Sequence, residues 1–241
     1  MEQLRLLLSK KRRGGARVGA GRKPLPAKLR HTPHRARPKH QAGHPVHVTL
    51  RASVRSLRSE HVVRTVLSAL RDSNRGAFRI AHYSVQDNHL HLIVEAENKT
   101  QLSSRVRGIM IRVARRVNRL LFRRGRFWAD RWHGHALTGP RQVRNALVYV
   151  LQNHRKHRIS GKGVAAQTLL DTLSSAQWFN GFSAPLPRGF RSVGPPSAIG
   201  PDDAARRGAQ RAVVPATTWL LTKGWLRRGL IRFTESPKSE R

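Results

Sequence analysis

No cysteine occurs in the 241 residues, and 12 acidic side chains stand against 48 lysines and arginines. Without cysteine the chain has no disulfide framework, no zinc ribbon and no thiol nucleophile. The shortage of acids leaves a formal net charge of +36, well beyond what solubility requires, and a surface of that sign attracts a polyanion. Nucleic acid is the expected partner. Long apolar runs are missing as well. Nothing reaches the length of a transmembrane helix, so no membrane is expected as the target of the charge. The opening Met1 to Leu8 is followed by Lys10-Lys11-Arg12-Arg13 in place of a small-residue cleavage site. That is the wrong order for a secretory signal, and a cytoplasmic location is expected. Tyrosine is scarce too, with two copies in all, which makes the setting of each one informative.

The length allows one compact domain of about 110–150 residues with flanking segments. Residues 1–43 read as a disordered basic arm: up to position 40 they hold thirteen Lys or Arg and one acid, Glu2, among many Gly and Pro. Within it Gly19 to Pro24, carrying Arg22 and Lys23, suits either an arm lying in a minor groove or a plain phosphate-binding tail. Residues 44–158 read as the folded domain and 159–216 as a linker, rich in Pro, Gly and Ala from 181 to 215. The basic tail 217–241 carries Trp219 and Trp225, and Trp178-Phe179 is a second aromatic pair. These rings can dock on the domain or stack on unpaired bases.

Inside the domain the hydrophobic period alternates between two and about 3.6. Pro45 to Leu50 reads as a strand and Glu60 to Leu70 as a helix. Phe78 to Val85 and Asn88 to Glu95 read as a hairpin turned at Asp87-Asn88. Leu102, Val106, Ile109, Val113, Val117 and Leu120 mark one apolar stripe of a long helix. Gly125 to Leu137 is a fourth strand or strand pair, and Pro140 opens a last helix. The order β-α-β-β-α-β-α predicts an α+β fold, a ferredoxin-like or RRM-like antiparallel sheet with helices on one face and an added C-terminal, tyrosine-bearing helix.

The residues that carry chemistry fall on this frame. Alternation places His89 and His91 on one sheet face and Leu90, Leu92 and Val94 on the other. Two neutral imidazoles side by side form half of a divalent-metal site. A second pair, His133-Gly134-His135, is the rival, with less regular apolar alternation around it. Tyr83 lies in an apolar strand. Tyr149 lies on the last helix, on a polar face with Gln142, Asn145, Asn153 and Lys156. Asn153, one turn on, offers an amide oxygen as a hard third ligand. On the long helix Arg105, Arg112, Arg116, Arg119 and Arg123 form a cationic stripe, read as phosphate contacts against the alternative of a solvated face.

Asp87-Asn88-His89-Leu90-His91-Leu92-Ile93-Val94, followed some sixty residues later by Tyr149-Val150-Leu151-Gln152-Asn153, resembles the HUH single-tyrosine transposases of bacterial insertion sequences. It looks closest to their REP-associated branch. The resemblance covers about residues 44–158. It implies a metal-dependent enzyme acting on single-stranded or hairpin DNA as a monomer or homodimer, associated with the bacterial nucleoid. His89, His91 and Asn153 would hold Mg²⁺ or Mn²⁺, and Tyr149 would form a covalent 5′-phosphotyrosine. The competing readings are a non-catalytic RRM-like binding module and a domesticated transposase that only binds DNA. Against the first, the strands lack the paired aromatics on which such a sheet stacks bases.

Overall fold

Alternation along Val46–Arg51 divides its side chains into two sets, and the register of the neighbouring strands carries that division across a whole sheet. The computed structural model describes residues 39–158, 169–184, 191–193 and 212–237. Strand β1 (Val46–Arg51) pairs antiparallel with β3 (His89–Glu95), from Val46 opposite Val94 to Arg51 opposite His89. Strand β2 (Arg79–Val85) forms the hairpin with β3, and β4 (His133–Ala136) pairs on the other side of β1. The sheet order is therefore β2-β3-β1-β4. With helices α1 (Glu60–Arg71), α2 (Lys99–Leu120) and α3 (Pro140–Arg158) in their places, this is the expected ferredoxin-like α+β order with an added tyrosine-bearing helix.

One sheet face is apolar. Val48, Leu50, Ile80, Tyr83, Leu90 and Leu92 are buried there against Val62, Val66 and Leu70 of α1 and Val106, Ile109 and Val113 of α2. Helix α1 begins with Glu60 and ends with Arg71, charges that suit its dipole. Helix α2 is capped reciprocally: the Asn98 side chain accepts from Gln101 N at 2.9 Å, and the Gln101 side chain accepts from Glu97 N at 2.9 Å. The apolar stripe of α2 is buried from Leu102 to Val117, while Leu120, expected to continue it, is exposed at the helix end.

The opposite face has a smaller core of its own. Ile93 and Ala81 meet Val143, Leu147, Val150 and Leu151 of α3, together with Leu220, Leu221 and Trp225. Those last residues belong to a C-terminal segment formed by α4 (Trp219–Thr222) and a 3₁₀ turn, Gly224–Arg228. Two polar clamps hold it. Glu95, the buried last residue of β3, accepts from Thr217 N and Thr218 N at 2.8 Å each and from their hydroxyls at 2.9 and 2.7 Å. Arg144 of α3 forms a bidentate pair with Glu235 at 2.7 and 2.9 Å and donates to the carbonyls of Gly229 and Leu230. Trp225 is thus docked, whereas Trp219 is half out of the core beneath the Arg227 guanidinium.

Three sequence expectations are modified. The fourth strand is confined to His133–Ala136, because Phe127, Trp128 and Trp132 before it turn into the core; only a bridge from Trp128 to Ala52 continues the pairing. Within the expected linker 159–216, residues 169–184 pack on the domain: buried Asp171 takes a two-toothed bond from Arg58 at 2.8 and 2.9 Å, and Val85 N donates to Leu173 O at 2.8 Å. The apolar face is not the only covered one, since α3 and the C-terminal segment close over the second. The expected basic arm up to residue 38, with Arg22 and Lys23, lies outside the described residues.

Replacing Glu95 strands two backbone amides and two hydroxyls at once. Glu95→Leu is expected to cost about 2–3 kcal/mol, whereas Thr217→Val, which keeps both amides paired, costs about 1 kcal/mol. Urea unfolding of the two variants beside the parent measures the difference; equal losses would show that the clamp does not depend on the carboxylate.

Candidate active site

The second face of the sheet gathers imidazoles. His47 and Thr49 of β1, His89 and His91 of β3, and His133 and His135 of β4 share it, because Thr49 stands opposite both His91 and His133 while His47 stands opposite His135. His91 is buried, at 5% exposure, and Thr49 Oγ1 lies 3.2 Å from its Nδ1. The His89 ring stacks beside it, with centroids 6.0 Å apart and planes 15° from parallel. Helix α3 lowers Tyr149 onto this surface. The half-buried phenol ring meets His91 edge-on at 5.2 Å and His47 at 5.4 Å, and His47 and His91 are themselves 5.4 Å apart.

The environments of the two tyrosines separate their chemistry. Tyr83 is fully buried in the core facing α1 and α2, and desolvation by burial, with Asp171 adding to it, pushes its phenol pKa far up. Tyr149 lies against neutral-capable imidazoles at the edge of solvent.

Helix α3 does not run regularly past the tyrosine. Gln152 has φ −123° and ψ 20°, a break in the helical path, and its side-chain amide donates to Arg232 O at 3.0 Å. Asn153 therefore departs from the exposed polar face expected for it with Gln142 and Asn145. It is 1% exposed, and neither its amide nitrogen nor its carbonyl oxygen has a hydrogen-bond partner, while Gln142 and Asn145 remain exposed. A fully buried amide left unpaired costs free energy that a ligand would recover.

Residues 42–153, which hold His47, His89, His91, Tyr149 and Asn153, match the family model described as IS200-like transposase. Over that segment the chain is similar to the IS200-like transposases. A solved structure described as a REP-associated tyrosine transposase bound to a REP hairpin is similar at 20% identity and a TM-score of 0.47, covering 61% of this chain and 84% of that one. No curated protein matches.

In this matched segment the structure brings His89, His91 and Tyr149 together and adds His47, which sequence reasoning passed over. The signal was present: alternation in Val46-His47-Val48-Thr49 puts His47 and Thr49 opposite the apolar set. Burial, with the neighbouring His135 adding to it, lowers the His47 pKa to about 4, and its Nε2 is buried without a hydrogen-bond partner. The rival pair is more exposed. His133 and His135 lie on the outermost strand, and Gly134 between them lies against the Trp132 ring, where a Cβ would collide. The arginines of α2 are on the opposite layer, over the apolar face. Arg123 is beyond the end of that helix.

A metal fits these residues in part. Among the described residues no three His, Cys, Asp or Glu side chains are close enough to hold a cation together. A site here would then combine two imidazoles with a donor of another kind, and the unpaired Asn153 carbonyl is one.

Two neutral histidines tie stability to pH. His82 on β2, beside Ser175 and the Phe179 ring, is lowered by burial to about 4, as His47 is. In the unfolded chain both titrate near 6.5. Below that pH the unfolded state binds protons that the folded state refuses, so stability is complete above 6.5 and is lost as pH falls toward 4. The urea midpoint is expected to drop across this window, and less steeply in His82→Gln; a flat profile would count against neutral burial.

Proposed function

We propose that the chain cuts one strand of DNA and rejoins it through a covalent bond to Tyr149, at sites beside palindromic, REP-like hairpins. The observation that carries this is the approach of Tyr149, the one tyrosine not locked in the core, to His91 and His47 within a single chain. A water-activating nuclease has no use for a phenol there. A strand-transfer enzyme does, because the phosphotyrosine keeps the energy of the phosphodiester for a second joining step.

In the reaction the Tyr149 oxygen bonds to phosphorus as the bond from phosphorus to the 3′ oxygen breaks. The phenol proton departs, and the 3′ oxygen gains one to become a free hydroxyl. Attack on the phosphotyrosine by another 3′-hydroxyl reverses these changes and releases the phenol, without ATP. A phenol is a weak nucleophile near neutral pH, its ordinary pKa being about 10, so a neighbouring positive charge is needed.

His89, His91 and Asn153 would hold that charge as Mg²⁺ or Mn²⁺, with imidazole favouring the transition ion. The cation would polarise the scissile phosphate and neutralise charge that develops on it. His91 suits such a role because the Thr49 hydroxyl at its Nδ1 orients the ring. His47, with its depressed pKa, stays neutral and adds no repulsion toward a cation. The high positive charge of the chain, and the arginines of α2 with Arg22 and Lys23, would hold the DNA.

Labelled single-stranded DNA bearing palindromes that flank the gene, incubated with the protein and Mn²⁺ or Mg²⁺, is expected to yield a covalent protein–DNA band on a denaturing gel. Chelation should remove the band, Tyr149→Phe should abolish it while leaving DNA binding intact, and His91→Ala should slow its formation about a hundredfold. DNA retention with no band under either metal would favour a non-catalytic binding module.

A further inference from the structure

The indole of Trp219 is held in place without being buried. Of the five tryptophans, Trp128, Trp132 and Trp225 are buried and Trp178 is half-buried, whereas Trp219 is 47% exposed. Its neighbours in the chain fix its position. Thr217 and Thr218 before it are bound to the Glu95 carboxylate, and Leu220 and Leu221 after it enter the core shared with α3. The 3₁₀ turn that follows folds back onto the ring: a Cβ at Gly224 would come within 2.7 Å of it, and the Arg227 guanidinium lies 4.9 Å from its centroid. A large apolar ring left in water forgoes the stabilisation that burial would give. Here it is braced by backbone and cation and still faces solvent.

The charge around the ring has one sign. No acidic side chain occurs between Thr217 and Glu235. Lys223, Arg227 and Arg228 are exposed and have no ion-pair partner among the described residues. A pre-set aromatic face among cations fits an unpaired nucleotide, whose base stacks on the ring while its phosphate meets the charge. A paired stem offers no such face, because its bases are already stacked on one another.

The ring also stands on the side of the sheet where the imidazoles gather. Leu220, Leu221 and Trp225 share their core with Leu147 and Leu151 of α3, and Tyr149 packs against that same core. An unpaired strand led to Tyr149 approaches this side of the molecule. Trp219 lies outside the matched segment 42–153, in the chain's own C-terminal segment.

We propose that Trp219, with Arg227 beside it, is a stacking platform for one base of an unpaired DNA strand, a contact that fixes where the strand lies on the tyrosine-bearing face. This rests on the chain acting on unpaired DNA and is independent of whether Tyr149 is the nucleophile.

The test uses full-length protein carrying Tyr149→Phe, so that binding is read without cutting. Fluorescence anisotropy follows a DNA hairpin with an unpaired flank, the flank nucleotides being replaced one at a time by abasic ones. In this parent, one abasic position is expected to weaken binding about tenfold, the loss of a single stacked base. Adding Trp219→Leu should weaken binding of the intact flank by about the same factor, and the sensitive abasic position should then cost less than about twofold, whereas Trp219→Phe, which keeps a ring, should retain most of the sensitivity. Binding of the hairpin without its flank should change by less than about twofold. A ring needed only for folding would lower affinity for every substrate alike and leave the abasic profile in place, and that result would overturn the proposal. So would a parent with no sensitive abasic position, an outcome that needs no variant to fold. Concentration-dependent self-association lost in Trp219→Leu, with the abasic profile unchanged, would give the ring to a second copy of the chain and overturn it as well. A parent that binds no unpaired flank removes the DNA reading and this proposal together, whereas a covalent band formed with Tyr149 restored and an abasic profile indifferent to Trp219 removes this proposal alone.

Discussion

The antiparallel pairing of β1 with β3, Val46 opposite Val94 through Arg51 opposite His89, is the contact on which the rest of the molecule depends. It aligns two alternating strands so that valines and leucines of both point toward α1 and α2, and His47, Thr49, His89 and His91 point the other way. Because the side-chain period of a strand is two, a slip of one residue would drive imidazoles into the apolar core and expose leucines, so the hydrophobic face fixes the register of the polar one. Burial of each fully covered valine or leucine contributes roughly 1.5–3 kcal/mol. That free energy, spread over the strands, is what holds the imidazoles at fixed spacing.

The tyrosine reaches those imidazoles from a different element, so the docking of α3 matters as much as the sheet. Residues outside the family-matched segment 42–153 contribute to that docking. Glu95 ends the strand that bears His89 and His91 and clamps Thr217 and Thr218, while Arg144, on the tyrosine's own helix, clamps Glu235 and two nearby carbonyls. One C-terminal segment is therefore tied at one end to the histidine strand and at the other to the tyrosine helix. Its bond from Gln152 to Arg232 O falls at the irregular turn just before Asn153, where the buried amide is unpaired.

The charge of the chain is also distributed by the fold. Imidazoles cluster on one face of the sheet, with Arg51 opposite His89 at its edge, and a group of guanidiniums lies on the helical layer over the other face. The exposed arginines of the helical layer keep their attraction for anions.

Much of this was legible in the sequence, and for simple reasons. Alternation identified β1, β2 and β3 and put His89 and His91 opposite Leu90, Leu92 and Val94, because pleated strands admit two faces only. The apolar stripe from Leu102 to Val117 and the proline at position 140 marked α2 and α3 because helices repeat near 3.6 residues and tolerate proline in the first turn. Composition alone set the sign of the partner. What required the tertiary structure was everything that depends on pairs distant in the chain. His47 joins the site only through pairing with residues forty and more positions away, Asn153 is buried because helix α3 breaks at Gln152, and Arg64 meets Arg115 and Arg119 only when α1 packs beside α2. Local period determines which face a side chain takes, whereas which faces come together is decided by strand order and helix packing, which no single segment encodes.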